Sequence, residues 1–211
     1  MERFLFDGPA RAARTLVLAH GAGAPMDSPF MDAVASEVAA DGVRVARFEF
    51  PYMHARRAEG RRKPPDREPG LRAAWHEAIA VLAGKKGPGS LVIGGKSMGG
   101  RIASMVADEA GVAGLVCLGY PFHPPGAPEK LRVAHLEHLK TPALIVQGER
   151  DAFGTRDEIA GYSLSKKIRL VFLPDGDHSF KPRVSSGRTE RQNLSEAVAL
   201  VTGFLESLRS S

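Results

Sequence analysis

The sequence has one cysteine, few aromatic residues and no long apolar run. Among its 211 residues, Cys117 is the single cysteine and 7% of the side chains are aromatic. One thiol excludes an internal disulfide, and the apolar neighbours of Cys117 indicate a core residue rather than a nucleophile. No apolar stretch approaches the roughly 18 residues of a membrane span. Residues 1–13 contain no signal-peptide core, so we expect a soluble cytoplasmic protein with no membrane partner.

The composition is otherwise that of an ordinary globular protein with an excess of positive charge. Hydrophobic residues make up 43% of the chain, charged residues 25%, and the net charge is +5. A chain of this length suits one domain, which we expect to span residues 1–211. It can bury roughly 70% of the surface that its unfolded form exposes, so it needs no disulfide or metal for stability.

Much of the positive charge lies in residues 56–67, termed the basic stretch. Its basic members are Arg56, Arg57, Arg61, Arg62, Lys63 and Arg67, set against Glu59 and Asp66. Two interpretations remain open: a solvated, proline-containing loop, or a rim that attracts an anionic substrate. Aromatic residues are not interleaved with these charges, and no nucleic-acid-binding motif is found, which argues against a nucleic acid partner.

Apolar runs alternate with amphipathic segments along the whole chain, a pattern typical of a parallel sheet covered by helices. Buried strands are predicted over residues 15–19, 43–50, 90–94, 113–118, 143–146 and 168–173. Helices are predicted over residues 28–41, 71–82 and 98–109, from Thr155, and from Thr189 onward. The sequence therefore predicts an α/β fold: a doubly wound, mostly parallel sheet with helices on both faces. The longest connection, residues 120–141, is too short for a large lid.

The segment from Gly94 to Gly100 contains the pattern G-x-S-x-G, with Gly95 and Gly99 flanking Ser97. An apolar strand precedes it and an amphipathic helix follows it. This is the context in which a sharp strand-to-helix turn lifts a nucleophilic serine clear of the sheet. The amino terminus of the helix then directs free N–H groups at a developing oxyanion. Ser97 is therefore the candidate nucleophile.

A rival interpretation treats Gly95-Lys96-Ser97 as the end of a phosphate-binding loop, G-x-x-x-x-G-K-[ST]. The first glycine of that motif would fall at Ser90. The intervening residues, 91–94, have the apolar character of a strand rather than of a loop that surrounds phosphate. The sequence therefore argues against nucleotide triphosphate binding.

Candidate partners for Ser97 follow the two later strands. Asp151 comes after the strand that ends near Val146, with Glu149 as the nearby alternative acid. His178 follows the last strand, and Asp175 and Asp177 are substitute acids whose closeness in sequence makes the geometry less natural. Serine, aspartate and histidine thus occur in the chain order of an α/β-hydrolase triad, each after its own strand. We predict Ser97, Asp151 and His178 as the catalytic residues.

The loop after the first predicted strand is rich in small residues, from His20 to Met26. Small side chains let a backbone N–H approach a substrate carbonyl, and Ala22 is the favoured donor, with Gly23 as the alternative. The second donor is the N–H of Met98, directly after the nucleophile. His20 is expected to shape this loop rather than to take part in chemistry.

These motifs resemble the α/β-hydrolase superfamily over nearly the whole chain. The similarity lies in residues 20–30, 47–52, 94–100, 147–154 and 176–180, and it is greatest to small members without a lid. Those members include dienelactone hydrolase and the hydrolase-like subunits of chromatin-acetylation complexes. Dienelactone hydrolases carry a cysteine at the position of Ser97, so their substrate is not carried over.

The resulting hypothesis is a serine hydrolase that acts by two-step acyl transfer on a small ester or thioester, with the basic stretch favouring an anionic acyl group. No cofactor is implied, and no cluster of histidine, cysteine and carboxylate residues suggests a metal. Gly23, Tyr52 and His123 are candidates for contacting substrate. The alternative is a catalytically silent protein that uses this fold for binding or as a scaffold.

Overall fold

The computed structural model describes residues 3–60 and 63–208, which are built around a seven-stranded sheet. The strands are β1 (Phe4–Asp7), β2 (Thr15–Ala19), β3 (Arg44–Phe48), β4 (Leu91–Lys96), β5 (Gly114–Leu118), β6 (Ala143–Gly148) and β7 (Ile168–Leu173). Their order across the sheet is β1-β3-β2-β4-β5-β6-β7. Neighbouring strands pair in parallel, except that β1 is antiparallel to β3.

The helices connect these strands and cover both faces of the sheet. They are α1 (Pro29–Ala40), α2 (Pro51–Glu59), α3 (Glu68–Ala83), α4 (Met98–Ala110), α5 (Arg156–Ile159) and α6 (Glu190–Ser207). The helices α5 and α6 both begin with the capping box that their sequences predict, at Thr155 and Thr189. Among the described residues, none of the helices is long and apolar enough to cross a membrane.

Alternate residues of the parallel strands face two separate hydrophobic cores, because successive side chains of a strand point to opposite faces. Val17 and Ile93 pack with Trp75 of α3 and Ile102 of α4 on one face. On the other face, strand residues such as Leu16, Val92 and Val116 pack against α1 and α6. The predicted doubly wound, mostly parallel sheet with helices on both faces is therefore confirmed.

Cys117 lies in the middle of β5 and is completely buried, as the apolar pattern around it predicts. Its Sγ atom is 3.5 Å from the carbonyl oxygen of Gly100 in α4. Burial alone raises the pKa of this thiol well above its usual range. Cys117 is consequently part of the packing between β5 and α4.

Two elements differ from the sequence prediction. Strand β1 is not anticipated at all, and α2 occupies a segment that the sequence interpretation treats as a strand end followed by a loop. Helix α2 has Pro51 in its first turn and ends at Glu59. Gly60 follows as the C-cap, with a φ of 64°, the left-handed conformation that glycine adopts readily. The first part of the basic stretch is therefore helical, and Arg61 and Arg62 lie outside the described residues.

Candidate active site

Ser97 occupies the sharp turn between β4 and α4. Its φ is 51°, a left-handed conformation that costs a non-glycine residue about 1–3 kcal/mol. Its backbone N–H donates to the carbonyl oxygen of Leu118 at 3.0 Å, which ties the turn to β5. A Cβ atom at Gly95 or Gly99 would lie 2.1 or 2.3 Å from the carbonyl oxygen of Ala19. Glycine is therefore required on both sides of Ser97, because β2 passes directly against the turn.

His178 joins Ser97 and Asp151 in one hydrogen-bonded series. The Nε2 atom of His178 is 2.9 Å from Ser97 Oγ, and its Nδ1 atom is 2.8 Å from Asp151 Oδ2. An ionised carboxylate only accepts hydrogen bonds, so Nδ1 carries the ring proton and Nε2 accepts from the serine hydroxyl. The structure thus brings together the three residues that the sequence singles out, from three different loops at the carboxyl edge of the sheet.

The carboxylate of Asp151 is completely buried and is fixed by further donors. Its Oδ1 atom accepts from the backbone N–H of Phe153 at 2.9 Å, and Oδ2 accepts from the side-chain amide of Gln147 at 2.9 Å. Gln147 is itself buried and bonds to both the N–H and the carbonyl of Tyr120. These contacts hold the carboxylate in a single orientation toward His178.

The alternative acids have other partners. Glu149 accepts from Arg156 and from the backbone N–H of Asp175. Asp175 is paired with Arg183 and Arg150, and its hydrogen bond with Arg183 lowers the pKa of its carboxyl to about 2. The third acid, Asp177, accepts from backbone N–H groups of its own loop. Among the predicted acids, only Asp151 contacts the imidazole.

The loop that carries His178 contains unusual backbone conformations. Asp175 and Phe180 have φ values of 52° and 70°. Together with Ser97 they are the non-glycine residues with a positive φ in the described chain, and all three lie in or beside this site. The side-chain amide of Asn193 in α6 bonds to the carbonyl oxygens of Pro174 and Phe180 at 3.1 and 2.8 Å. Such strained residues persist only where surrounding contacts determine their geometry.

The loop between β2 and α1 is shaped by two buried aromatic side chains. His20 is fully buried, and its Nε2 atom accepts from the backbone N–H of Phe50 at 3.1 Å. Its Nδ1 atom therefore donates to the carbonyl oxygen of Gly21 at 2.7 Å, and burial lowers the pKa of the ring. The hydroxyl of Tyr52 donates to the carbonyl oxygen of Ala22 at 3.1 Å. Both rings fix the path of the loop that faces Ser97.

Two cavities of about 340 Å³ each adjoin Ser97, and they share Ala22, Ser97 and Phe153. One, termed the arginine cavity, is lined by Ala22, Pro65, Asp66, Glu68, Leu71, Ser97, Met98, Arg101, Pro121, Arg132 and Phe153. The other, termed the apolar cavity, is lined by Gly21, Ala22, Gly23, Ala24, Ser28, Phe30, Met31, Lys96, Ser97, Phe153, His178 and Ser179. The nucleophile candidate therefore lies between a charged chamber and a mainly apolar one.

The oxyanion-hole candidates adjoin these cavities, whereas two candidate contact residues do not. Ala22 and Met98 both line the arginine cavity, and Gly23 lines the apolar one. Among the described residues, neither Tyr52 nor His123 lines either cavity. Tyr52 lies behind the loop, and His123 is buried with its Nδ1 atom 2.9 Å from the carbonyl oxygen of Pro124. Each of the two side chains bonds to the backbone of a loop beside the site, and their contact with substrate stays a prediction.

The described part of the basic stretch is mostly engaged within the protein. Arg57 is paired with Asp27 and Glu49, and Lys63 with Glu59. Arg56 and Lys63 line a separate, open cavity together with Ala22, Gly23, Pro64 and Pro65. The described basic side chains of this stretch therefore line neither cavity beside Ser97, although Pro65 and Asp66 of the same stretch line the arginine cavity.

Charged residues that the sequence interpretation does not single out lie closer to Ser97. The Arg101 guanidinium lies 3.7 Å from a carboxylate oxygen of Glu68, whereas no described carboxylate lies within 4 Å of the Arg132 guanidinium. Burial, and secondarily the charge of Arg101, lower the pKa of Arg132. Arg101 lies one helical turn after Ser97 in α4, and this spacing in the sequence indicates that it lies near the nucleophile. Arg132 lies in an irregular connection, where no periodicity indicates its direction.

Comparison with known proteins agrees with this geometry. A family model described as an alpha/beta hydrolase domain matches residues 12–206, so the chain belongs to this hydrolase family and a hydrolase is supported. Among solved structures, a dienelactone hydrolase from Anabaena variabilis is similar, with a TM-score of 0.73 and 23% identity over 97% of this chain and 90% of that one. Est1E from Butyrivibrio proteoclasticus, in a structure with bound ferulic acid, is also similar. Its TM-score is 0.66, with 17% identity over 99% of this chain and 95% of that one.

A third similar structure is an alpha-beta serine hydrolase homologue from Coxiella burnetii. Its TM-score is 0.68, with 18% identity over 94% of this chain and 89% of that one. The predicted relation to the α/β-hydrolase superfamily and to dienelactone hydrolase-like structures is confirmed. The relation to subunits of chromatin-acetylation complexes stays a prediction.

Proposed function

We propose that this protein is a serine hydrolase that cleaves a small carboxylic ester or thioester by two-step acyl transfer. The observation that carries the proposal is the continuous hydrogen-bonded series from Asp151 through His178 to Ser97. An incidental contact between a serine and a histidine would not place a fully buried carboxylate on the other nitrogen of the imidazole. The same arrangement activates serine in unrelated hydrolases.

In the first step His178 takes the hydroxyl proton while Ser97 Oγ attacks the carbonyl carbon. The backbone N–H groups of Met98 and of Ala22, with Gly23 as the alternative, stabilise the negative oxygen of the tetrahedral intermediate. His178 then returns the proton to the leaving alcohol or thiol, and an acyl-serine remains. Water repeats the sequence with the same proton transfers, which releases the acid and regenerates Ser97. Asp151 orients the imidazole and stabilises its charged form throughout.

The two cavities suggest how a substrate is oriented. His178 must reach the leaving group in order to protonate it, and His178 lines only the apolar cavity of the two. The leaving group therefore occupies the apolar cavity, and the acyl group enters the arginine cavity. Arg132, which has no carboxylate partner among the described residues, offers a counter-charge for an acyl group that carries its own anionic end.

A labelling experiment tests the proposed nucleophile. A fluorophosphonate probe is expected to modify the wild-type protein at Ser97, identified by peptide mass spectrometry. Replacing Asp151 by asparagine should slow the labelling by about 10³-fold or more, since the wrong ring tautomer of His178 is then favoured. A wild-type protein that is folded but unlabelled would favour the alternative, a binding or scaffold protein with this fold.

Arg132 is expected to set the preference for anionic acyl groups. The test compares 4-nitrophenyl hydrogen adipate with 4-nitrophenyl hexanoate, which differ mainly in a terminal carboxylate. The variant Arg132→Gln should lose about 10- to 100-fold in kcat/KM for the adipate ester, the worth of one charge-assisted hydrogen bond, and little for the hexanoate. Arg169→Gln, an exposed position on β7, is the matched control. A larger loss of adipate selectivity in Arg56→Gln would assign the preference to the basic stretch instead.

A further inference from the structure

Lys96 is the last residue of β4 and lies directly before Ser97, with 9% of its surface exposed. Its Nζ atom donates a hydrogen bond to the backbone carbonyl oxygen of His178. The same ammonium lies 5.4 Å from the ring centroid of Phe30 and 5.8 Å from that of Phe180. The Lys96 side chain therefore links the end of β4, next to Ser97, with the backbone of His178.

This position is costly for a lysine. The rest of β4 is buried between two hydrophobic cores, where an apolar side chain would be the ordinary choice. No described carboxylate lies within 4 Å of Nζ, although the charges of Asp151 and Asp177 act on it from farther away. Burial lowers the pKa of Lys96 to about 8, against the opposite effect of these two acids. The side chain thus carries a desolvation cost that no ion pair offsets.

The link between Lys96 and His178 is closely packed on the side of Gly119. A Cβ atom at Gly119 would lie 2.8 Å from Nζ and 2.9 Å from the carbonyl oxygen of His178. The backbone at Gly119, the residue directly after β5, therefore packs closely against this hydrogen bond. The link also ends on the strained segment that contains Phe180, which requires fixed contacts to keep its geometry.

We propose that Lys96 is a positioning residue that holds the His178 loop against the nucleophile turn, so that Nε2 stays within hydrogen-bond reach of Ser97. The inference rests on the proposed serine hydrolase function. Lys96 acts through the backbone of His178 and not on the reacting atoms. The protein keeps a charged group in its interior because the resulting alignment favours the proton transfer between Ser97 and His178.

The variant Lys96→Met tests this role, since methionine has similar length and is apolar. Turnover of 4-nitrophenyl butyrate is expected to lose about 10- to 100-fold in kcat, as misplacement of reacting groups by about 1 Å can do. The KM should change less than twofold, and the rate of fluorophosphonate labelling should fall in parallel with kcat. The melting temperature should stay the same or rise, because the substitution removes an unpaired buried charge.

Lys181→Met is the matched control, because it removes the same charge from an exposed position three residues beyond His178. It is expected to leave kcat unchanged. Unchanged kcat in Lys96→Met would overturn the inference, and so would a melting temperature that falls together with kcat, since Lys96 would then serve stability alone. A wild-type protein that neither turns over the ester nor reacts with the probe would instead refute the proposed function itself.

Discussion

Replacing Ser97 by alanine is expected to lower ester turnover by about 10⁴-fold or more, as removal of a triad serine does in other hydrolases. The Oγ atom is the only atom lost, and it contacts His178 Nε2 at 2.9 Å. It makes no capping bond to α4, although Ser97 is the first residue before that helix. The melting temperature should therefore stay close to that of the wild type. Initial rates with 4-nitrophenyl butyrate, together with thermal unfolding, measure both effects.

Ser104 provides the matched serine control. It is buried on α4, and its Oγ atom lies 2.8 Å from His135 Nε2, which makes a second serine–histidine pair. No described carboxylate lies within 4 Å of the His135 ring, so this pair has no acid to orient it. Ser104→Ala should consequently keep its activity. Equal activity of the wild type and Ser97→Ala would refute the nucleophile assignment, and three equally inactive proteins would favour the scaffold alternative.

The variant Gly94→Ala is expected to cause the largest loss of stability. A Cβ atom at Gly94 would lie 1.9 Å from the backbone carbonyl oxygen of Val116 on β5, where no flexible side chain can move aside. The two parallel strands would have to separate at the centre of the sheet. Overpacking of a core costs about 1–3 kcal/mol and more where the backbone must shift, so we expect about 3 kcal/mol or more. Urea unfolding, followed by circular dichroism, measures the loss.

The control for this variant is expected to change the stability of the protein in the opposite direction. Gly203 lies inside α6, and an added Cβ atom there would have no neighbour within 4 Å. Gly203→Ala should stabilise the protein by about 0.5–1 kcal/mol, since glycine disfavours a helix interior. A Gly94→Ala protein that unfolds at the wild-type urea concentration would show that β4 and β5 are farther apart than described.

The parallel core could be predicted from sequence because each of its strands is a continuous apolar run. Strand β1 has no such run: Phe4 is buried while Phe6 is half exposed, and the strand has only four residues. Its existence depends on pairing with β3, some forty residues away, as in the contact of Phe4 with Phe48. Local pattern carries no information about such a pairing.

Helix α2 was missed for another reason, because the sequence does contain residues that mark the two ends of this helix. Pro51 in the first helical turn and Gly60 after the last are typical helix boundaries. The two arginines between them have good helix propensity, but the segment has no long apolar stripe, and among its residues only Tyr52 and Met53 are buried. Amphipathic periodicity therefore fails for a helix this short and this polar.

Chain order predicted which residue types meet at the site, but not how they orient. The choice of Asp151 over Glu149 depends on side-chain direction, which two residues in one loop do not reveal. The role of Lys96 was not predicted because its hydrogen-bond partner, the carbonyl of His178, lies 82 residues away in the sequence. Arg132 was not singled out because it lies in an irregular connection, where no periodicity indicates its direction. Motif spacing describes neighbours along the chain, whereas these contacts form only after the sheet has assembled.

The burial of Cys117 has a practical consequence for measuring the motions of this protein. The single thiol of the chain lies under the nucleophile turn, with none of its surface exposed and its pKa raised. An alkylating reagent can reach it only after β5 and α4 part transiently. The rate of alkylation under native conditions therefore reports the free energy of opening at the centre of the sheet. Cys117 serves as a natural probe of local unfolding directly beneath the candidate active site.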